Sequence, residues 1–174
     1  MGFSTSQIKA LAGKLDRRHV QTRKLDDRDI DYIEGWFAVS EANAIFGFGG
    51  WDRETIHCER LFERTRGETT SCSYLVGVRI GVLAGGQLVV REGSGIGSAN
   101  CKSPSEAYER ALKAAETDAT KRALATFGNR FGLCLYDKEQ AGVTPRESSN
   151  PFALPDHNGD KIAADLSPEA FVLV

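Results

Sequence analysis

Residues 103–128 read SPSEAYERALKAAETDATKRALATFG and carry the clearest helix signal of the chain. Ser103, Pro104 and Glu106 stand in the order of a helix N-cap, a first-turn proline and the third position of a capping box. Alanines then recur at every fourth position: Ala107, Ala111, Ala115, Ala119 and Ala123. The pattern predicts one long helix that ends near Phe127 at Gly128, and its small side chains let its backbone approach another layer closely.

Three extended segments precede this helix. They read DRETIHCERLF (52–62), SCSYLVGVRIGVL (71–83) and QLVVREGSGIGS (87–98), and short turn-forming stretches separate them. Successive strands with short connections favour an antiparallel meander over a parallel sheet. The order β-β-β-α therefore predicts an α+β fold, with an antiparallel β-meander packed on one long helix. The glycines of residues 93–97 superficially resemble a dinucleotide loop, but we interpret them as a backbone bulge because no strand–loop–helix spacing follows.

The other elements carry weaker signals. Apolar spacing predicts a short amphipathic helix before Asp16, and a second short helix should open near Ser40 and end at Gly47. The charged stretch between them has no clear period and is interpreted as a loop or extended crossing. We divide the chain into an N-terminal helix or arm that contacts other subunits (1–19), a main domain (20–142) and an irregular acidic tail (143–174).

Composition excludes several classes of protein. The chain has 174 residues, a formal net charge of −2 and no apolar run near the ~20 residues of a membrane helix. The four cysteines are widely spaced and are interpreted as reduced, mostly buried thiols of an intracellular protein, cytoplasmic or nucleoid-associated. A basic N-terminus keeps an organellar location as an alternative. No hydrolase, zinc or phosphate-loop motif is present, so we expect a non-enzyme without metal or cofactor.

Cations cluster at the end of the long helix although the whole chain is slightly acidic. Lys121, Arg122 and Arg130 there either complement the helix dipole, at about 0.3–1 kcal/mol each, or contact phosphate. On a helical projection Lys121 lies away from the alanine stripe and faces solvent or a groove, whereas Arg122 lies at its edge. Aromatic residues of the segment 36–51 are candidates either for stacking on bases or for packing in the core. For Phe46 and Trp51 we favour the core.

Three stretches together resemble the single-strand annealing domain of the Rad52/Rad22 family of recombination and double-strand break repair proteins. They are YIEGWFAVSEANAIFGFGGW (32–51), VGVRI with GGQLVVREGSGIGSA (76–99), and the segment 103–139 with its Lys-Arg-Ala-Leu motif. The resemblance implies a β-β-β-α module that assembles into closed homo-oligomeric rings. Such rings bind single-stranded DNA in a positively charged outer groove and pair it with a complementary strand without ATP.

The resemblance also assigns residues. Lys121 and Arg122 match the cations of the inner DNA groove, and Lys102 and Lys138 match a second, outer DNA site. Two inner-groove arginines of eukaryotic members are replaced here by Phe37 and Ala125. Replacement charge is expected from Arg130, Arg23 or Arg91, and replacement stacking from Trp36 or Phe37.

The expected function is therefore annealing of single-stranded DNA in recombinational repair, by a compact form that lacks the family's C-terminal partner-binding region. A recombinase or a single-strand binding protein is a candidate partner, besides DNA and further copies of the chain; a membrane is not. Two alternatives stay open. One is a protein of the same fold that protects DNA ends without annealing, and the other is an oligomeric interaction module that does not bind DNA.

Overall fold

The structure, a computed structural model, describes residues 2–145 and places one long helix across a three-stranded antiparallel sheet. In chain order the helices and strands are α1 (Thr5–Ala12), β1 (Val20–Leu25), β2 (Arg28–Ile33), α2 (Gly35–Phe46), β3 (Trp51–Arg66), β4 (Thr69–Ala84), β5 (Gln87–Cys101) and α3 (Pro104–Ala125). Short 3-10 turns lie at Arg17–His19, Asn129–Phe131 and Leu133–Tyr136.

The sheet confirms the predicted meander. Its strand order is β3-β4-β5, and both neighbouring pairs are antiparallel. The central strand β4 buries Val76, Val78, Ile80 and Val82 completely. The helix α3 starts at the predicted cap, where the Ser103 side chain accepts from the Glu106 backbone N–H, and it ends at Ala125, close to the predicted stop. The α+β class predicted from the sequence is therefore confirmed.

Glycines of β5 lie directly against the alanine stripe of α3. A Cβ atom on Gly95 would come within 2.5 Å of the Ala119 backbone N and 2.6 Å of the Ala115 carbonyl, and one on Gly93 or Gly97 would meet the helix backbone at least as closely. Every second residue of a strand advances by about 6.7 Å, and every fourth residue of a helix by about 6 Å. The glycines of β5 and the alanines of α3 therefore repeat at nearly the same spacing. The predicted bulge at 93–97 is wrong, because β4 and β5 pair continuously through these residues.

A hairpin of two extended strands occupies the stretch after Asp16, for which a loop or an extended crossing was predicted. Strands β1 and β2 pair in antiparallel register from Val20↔Ile33 to Leu25↔Arg28. The two turn residues, Asp26 and Asp27, both have positive φ, 47° and 63°. This is the conformation that two-residue hairpin loops require, and aspartate tolerates it better than most residues.

The helix α2 begins earlier than the sequence predicts. It starts at Gly35 rather than near Ser40, and it ends at Gly47 as expected. Its N-cap residue, Glu34, makes no capping hydrogen bond through its side chain. The predicted start was wrong because the N-cap position holds a glutamate instead of the usual Ser, Thr, Asp or Asn.

The N-terminal segment packs on the domain of its own subunit. Leu11 and Leu15 belong to the main hydrophobic core, and Leu15 forms a parallel bridge with the buried Val143. Asp31 forms an ion pair with Arg17 at 3.2 Å within the same chain. Of the predicted irregular tail, residues 146–174 lie outside the described residues.

Candidate nucleic-acid interface

Lys121 lies half-buried between α3 and the β1–β2 hairpin. Its Nζ donates a hydrogen bond to the carbonyl oxygen of Ile33, at the end of β2, over 3.3 Å. The same Nζ lies 5.2 Å from the centre of the Tyr32 ring, a cation–π distance. Burial lowers the pKa of Lys121 below the ordinary lysine value of 10.5, while the carboxylate of Asp118 partly opposes this shift. The side chain thus holds a positive charge where water is partly excluded.

Two arginines lie beside this lysine. The guanidinium of Arg23, on β1, lies 5.5 Å from the centre of the Tyr32 ring. Arg122 is 57% exposed and donates from Nε to Asp118 over 2.8 Å, a bond that raises the pKa of Arg122. Because a guanidinium carries five N–H donors, this ion pair leaves donors for another acceptor.

These side chains line a cavity of about 330 Å³ between the hairpin and α3, which we call the hairpin groove. Its lining includes Arg23, Tyr32, Asp118, Lys121, Arg122 and Tyr136. Three of the inner-groove candidates therefore meet in one place: Arg23, Lys121 and Arg122. Tyr32, Asp118 and Tyr136 were missed by the sequence analysis. Tyr32 had a signal, since it opens the Tyr-Ile-Glu-Gly motif, but its strand was not predicted.

Phe37 and Arg130, also predicted for the inner groove, lie elsewhere. Phe37 is only 5% exposed and stacks on His19, with ring centres 4.2 Å apart. Its ring is therefore unavailable to a base, and the stacking role expected of Phe37 is corrected. Arg130 forms an ion pair with Glu41 of α2 at 2.6 Å and is not among the residues that line the hairpin groove. Arg91, the remaining candidate, lies over the ring of Phe127 at 5.6 Å.

Arg130→Ala tests the role of this ion pair. We expect the free energy of unfolding to fall by about 1–3 kcal/mol, because Glu41, whose side chain is 12% exposed, loses its charged partner. The salt dependence of any DNA binding should change less than in Lys121→Ala, since Glu41 already balances the Arg130 charge. Urea unfolding and binding at several salt concentrations measure both effects. If the salt slope of Arg130→Ala were as flat as that of Lys121→Ala, Arg130 would contact DNA after all.

The two lysines assigned to an outer site are both exposed. Lys102 precedes the N-cap of α3, whereas Lys138 follows the turn that carries Tyr136, near the other end of that helix. A 22-residue helix is about 33 Å long at 1.5 Å per residue. Within one subunit the two lysines therefore do not form a single compact site.

Features of other site classes are missing from residues 2–145. No group of three or more His, Cys, Asp or Glu side chains there is arranged to hold a metal ion. Cys72, Cys101 and Cys134 are buried, Cys58 is exposed, and all four are free thiols. Within the same residues, none of the helices has the length and apolar character needed to cross a bilayer.

Comparison with known proteins identifies the family. Residues 4–151 match the profile of the family described as "Rad52/22 family double-strand break repair protein". The DNA repair and recombination protein RAD52 of Eremothecium gossypii is 44% identical over 113 residues, which cover 63% of this chain and 25% of that protein.

Two further relatives give the same result. RAD52 of Saccharomyces cerevisiae is 42% identical over 132 residues, which cover 74% of this chain and 27% of the yeast protein. The DNA repair and recombination protein rad22 of Schizosaccharomyces pombe is 39% identical over 112 residues, 63% of this chain and 23% of that protein. The chain thus spans about a quarter of the length of these curated relatives.

Proposed function

Because this chain belongs to the Rad52/22 family of double-strand break repair proteins, we propose that it binds single-stranded DNA and anneals complementary strands. It acts in recombinational repair, without ATP, as a closed ring of identical subunits. The relatives named above are DNA repair and recombination proteins. The finer activity proposed here is supported by the residues that converge in the hairpin groove.

One observation carries the proposal: Arg23, Lys121 and Arg122 converge in one groove of a chain whose net charge is −2. Attraction of DNA to the overall charge of the protein cannot account for binding, because the chain as a whole is slightly acidic. A local row of cations that includes a partly desolvated lysine is suited to phosphate, which takes charge-assisted hydrogen bonds. Backbone contacts carry little sequence information, so binding should tolerate any sequence.

Helix capping does not account for Lys121. Its Nζ bonds the Ile33 carbonyl in the hairpin rather than a carbonyl of α3. The helix continues to Ala125, and Arg122 is the basic residue of its last turn. The dipole interpretation therefore applies to Arg122 at most, and the position of Lys121 favours a groove for a ligand.

A ring supplies what one subunit lacks. A single hairpin groove offers three cations, whereas a closed ring repeats them along a continuous track. Cyclic closure with more than two subunits requires a head-to-tail interface. In this proposal Lys102 and Lys138, far apart in one subunit, belong to a second track in which different subunits supply neighbouring charges.

An annealing assay tests the function. The purified protein is mixed with two complementary fluorescent oligonucleotides in the absence of ATP, and energy transfer between the two labels reports their pairing. Acceleration over the spontaneous rate supports annealing. Binding without acceleration favours the alternative in which the protein protects DNA ends. No binding leaves an oligomeric module that does not bind DNA.

The lowered pKa of Lys121 predicts a pH dependence. Burial lowers the pKa of Lys121 in the free protein, whereas a bound phosphate favours its charged form. Above the pKa that Lys121 has in the free protein, binding of DNA therefore takes up a proton. Affinity for single-stranded DNA should therefore fall with rising pH on the alkaline side, beginning below pH 10.5. Lys121→Arg is the matched variant, because its guanidinium stays charged and should remove the decline. Equal pH profiles of both proteins would contradict this assignment.

A further inference from the structure

A second groove, between α2 and α3, shares Lys121 with the hairpin groove. This cavity of about 640 Å³, which we call the indole groove, is lined among others by Trp36, Val39, Arg53, Lys113, Thr117 and Lys121. Trp36 is 66% exposed there, and the adjoining Val39 is 38% exposed. An exposed tryptophan beside a half-buried lysine contributes little to the core of the subunit and is available to a ligand.

The position of Trp36 is fixed by the contact between the two helices. A Cβ atom on Gly35 would lie 2.8 Å from the Cγ2 methyl of Thr117, so α2 begins directly against α3. The indole also packs edge-on against the buried ring of Phe37, with centres 6.0 Å apart at 83°. This contact anchors the ring while most of it stays exposed. Lys121 lines both grooves, so they meet at its side chain.

The lining of the indole groove is basic as well as aromatic. Its charged residues are Arg53, Lys113, Lys121 and Glu116, three cations to one carboxylate. Arg53 is held in place by a hydrogen bond from Nε to the Thr120 hydroxyl at 2.9 Å and by Glu116 at 3.8 Å. A flat exposed ring with adjacent cations matches a nucleotide, which joins an aromatic base to a phosphate.

We propose that one base of the bound single strand stacks on the Trp36 indole, while the adjoining phosphates lie in the hairpin groove. Lys121 sits at the crossing between base and backbone. This inference rests on the proposed function and adds to it a base-stacking residue that the family's cation motif does not contain. The stack is sequence-tolerant, because every base has an aromatic face.

Tryptophan emission of the full chain tests the stack. The protein has two tryptophans, and Trp51 is partly buried with its Nε1 bonded to Asn43 at 2.9 Å. Oligothymidine should quench the emission of the wild type, and Trp36→Phe should lose that quenching. In parallel, anisotropy of fluorescein-labelled oligothymidine should show affinity falling about tenfold in Trp36→Ala. The salt slope should not change, since no charge is removed.

A matched probe separates base from backbone. An oligomer of abasic deoxyribose phosphate has the same charge but nothing to stack, so the wild type and Trp36→Ala should bind it equally. Binding of oligothymidine without quenching, with unchanged affinity in Trp36→Ala, would overturn the stack and leave the proposed function standing. A changed assembly mass of Trp36→Ala by light scattering, with no loss of affinity, would place the indole against a neighbouring subunit and also overturn it. Absence of any oligothymidine binding would instead reject the proposed function.

Discussion

Replacing Lys121 and Arg122 together by alanine is expected to abolish acceleration of annealing and to weaken binding of single-stranded DNA about 100–10,000-fold. Each charge-assisted hydrogen bond contributes about 1.5–3 kcal/mol, and about 1.4 kcal/mol corresponds to a factor of ten. Lys121 should account for more of the loss than Arg122. It is half-buried, whereas Arg122 is 57% exposed and already paired with Asp118.

The salt dependence gives a second, independent measurement. Each phosphate neutralised on a single strand contributes about 0.7 to the slope of log K against log salt. Loss of two contacts should therefore lower the slope by about 1.4 in the double variant. Fluorescence anisotropy at several salt concentrations measures this directly.

Arg110→Ala is the matched control for charge. It removes a cation from the same helix, where Arg110 is exposed and paired only locally with Glu106, one turn earlier. Its affinity, slope and annealing rate should stay close to those of the wild type. If Arg110→Ala and the double variant lost affinity equally, general electrostatics would explain binding and the groove would have no special role.

The sheet and its covering helix could be predicted from the sequence because their signals are local and strong. Ser103 and Pro104 fix the start of α3, and the turn at Gly85 and Gly86, both with positive φ, separates β4 from β5. The β1–β2 hairpin could not be predicted in this way. Among its residues only Ile33 is buried, so neither strand shows the alternation of buried and exposed residues that is typical of a half-buried strand. Its turn also uses Asp-Asp where glycine would normally give the signal.

The candidate site shows the same division. Lys121 and Arg122 lie on a well-predicted helix, so their side of it could be assigned. Whether Phe37 is buried depends on where α2 begins. Because the helix starts at Gly35, Phe37 lies on the buried face with Ala38 and Ala42, while Trp36 points outward. Because Glu34 gives no capping signal, sequence reasoning treated the two neighbouring aromatics as equivalent.

The second large effect is expected from Gly95→Ala in β5, which should destabilise the fold by about 1–3 kcal/mol. The added Cβ would meet backbone atoms of α3, the Ala119 N at 2.5 Å and the Ala115 carbonyl at 2.6 Å. Backbone atoms of a helix cannot rotate aside as a side chain can. The whole helix must shift, or its contact with the sheet must open.

Gly81→Ala in β4 is the control in the same sheet. There the new Cβ would meet only the tip of Leu88 at 3.2 Å, an exposed side chain that can move. Urea unfolding followed by far-UV circular dichroism should show a lower midpoint for Gly95→Ala and almost no change for Gly81→Ala. Because α3 also carries Lys121, a shifted helix should weaken DNA binding in Gly95→Ala alone. Equal midpoints for the two variants would mean that the glycine and alanine repeats are not packed as closely as the structure shows.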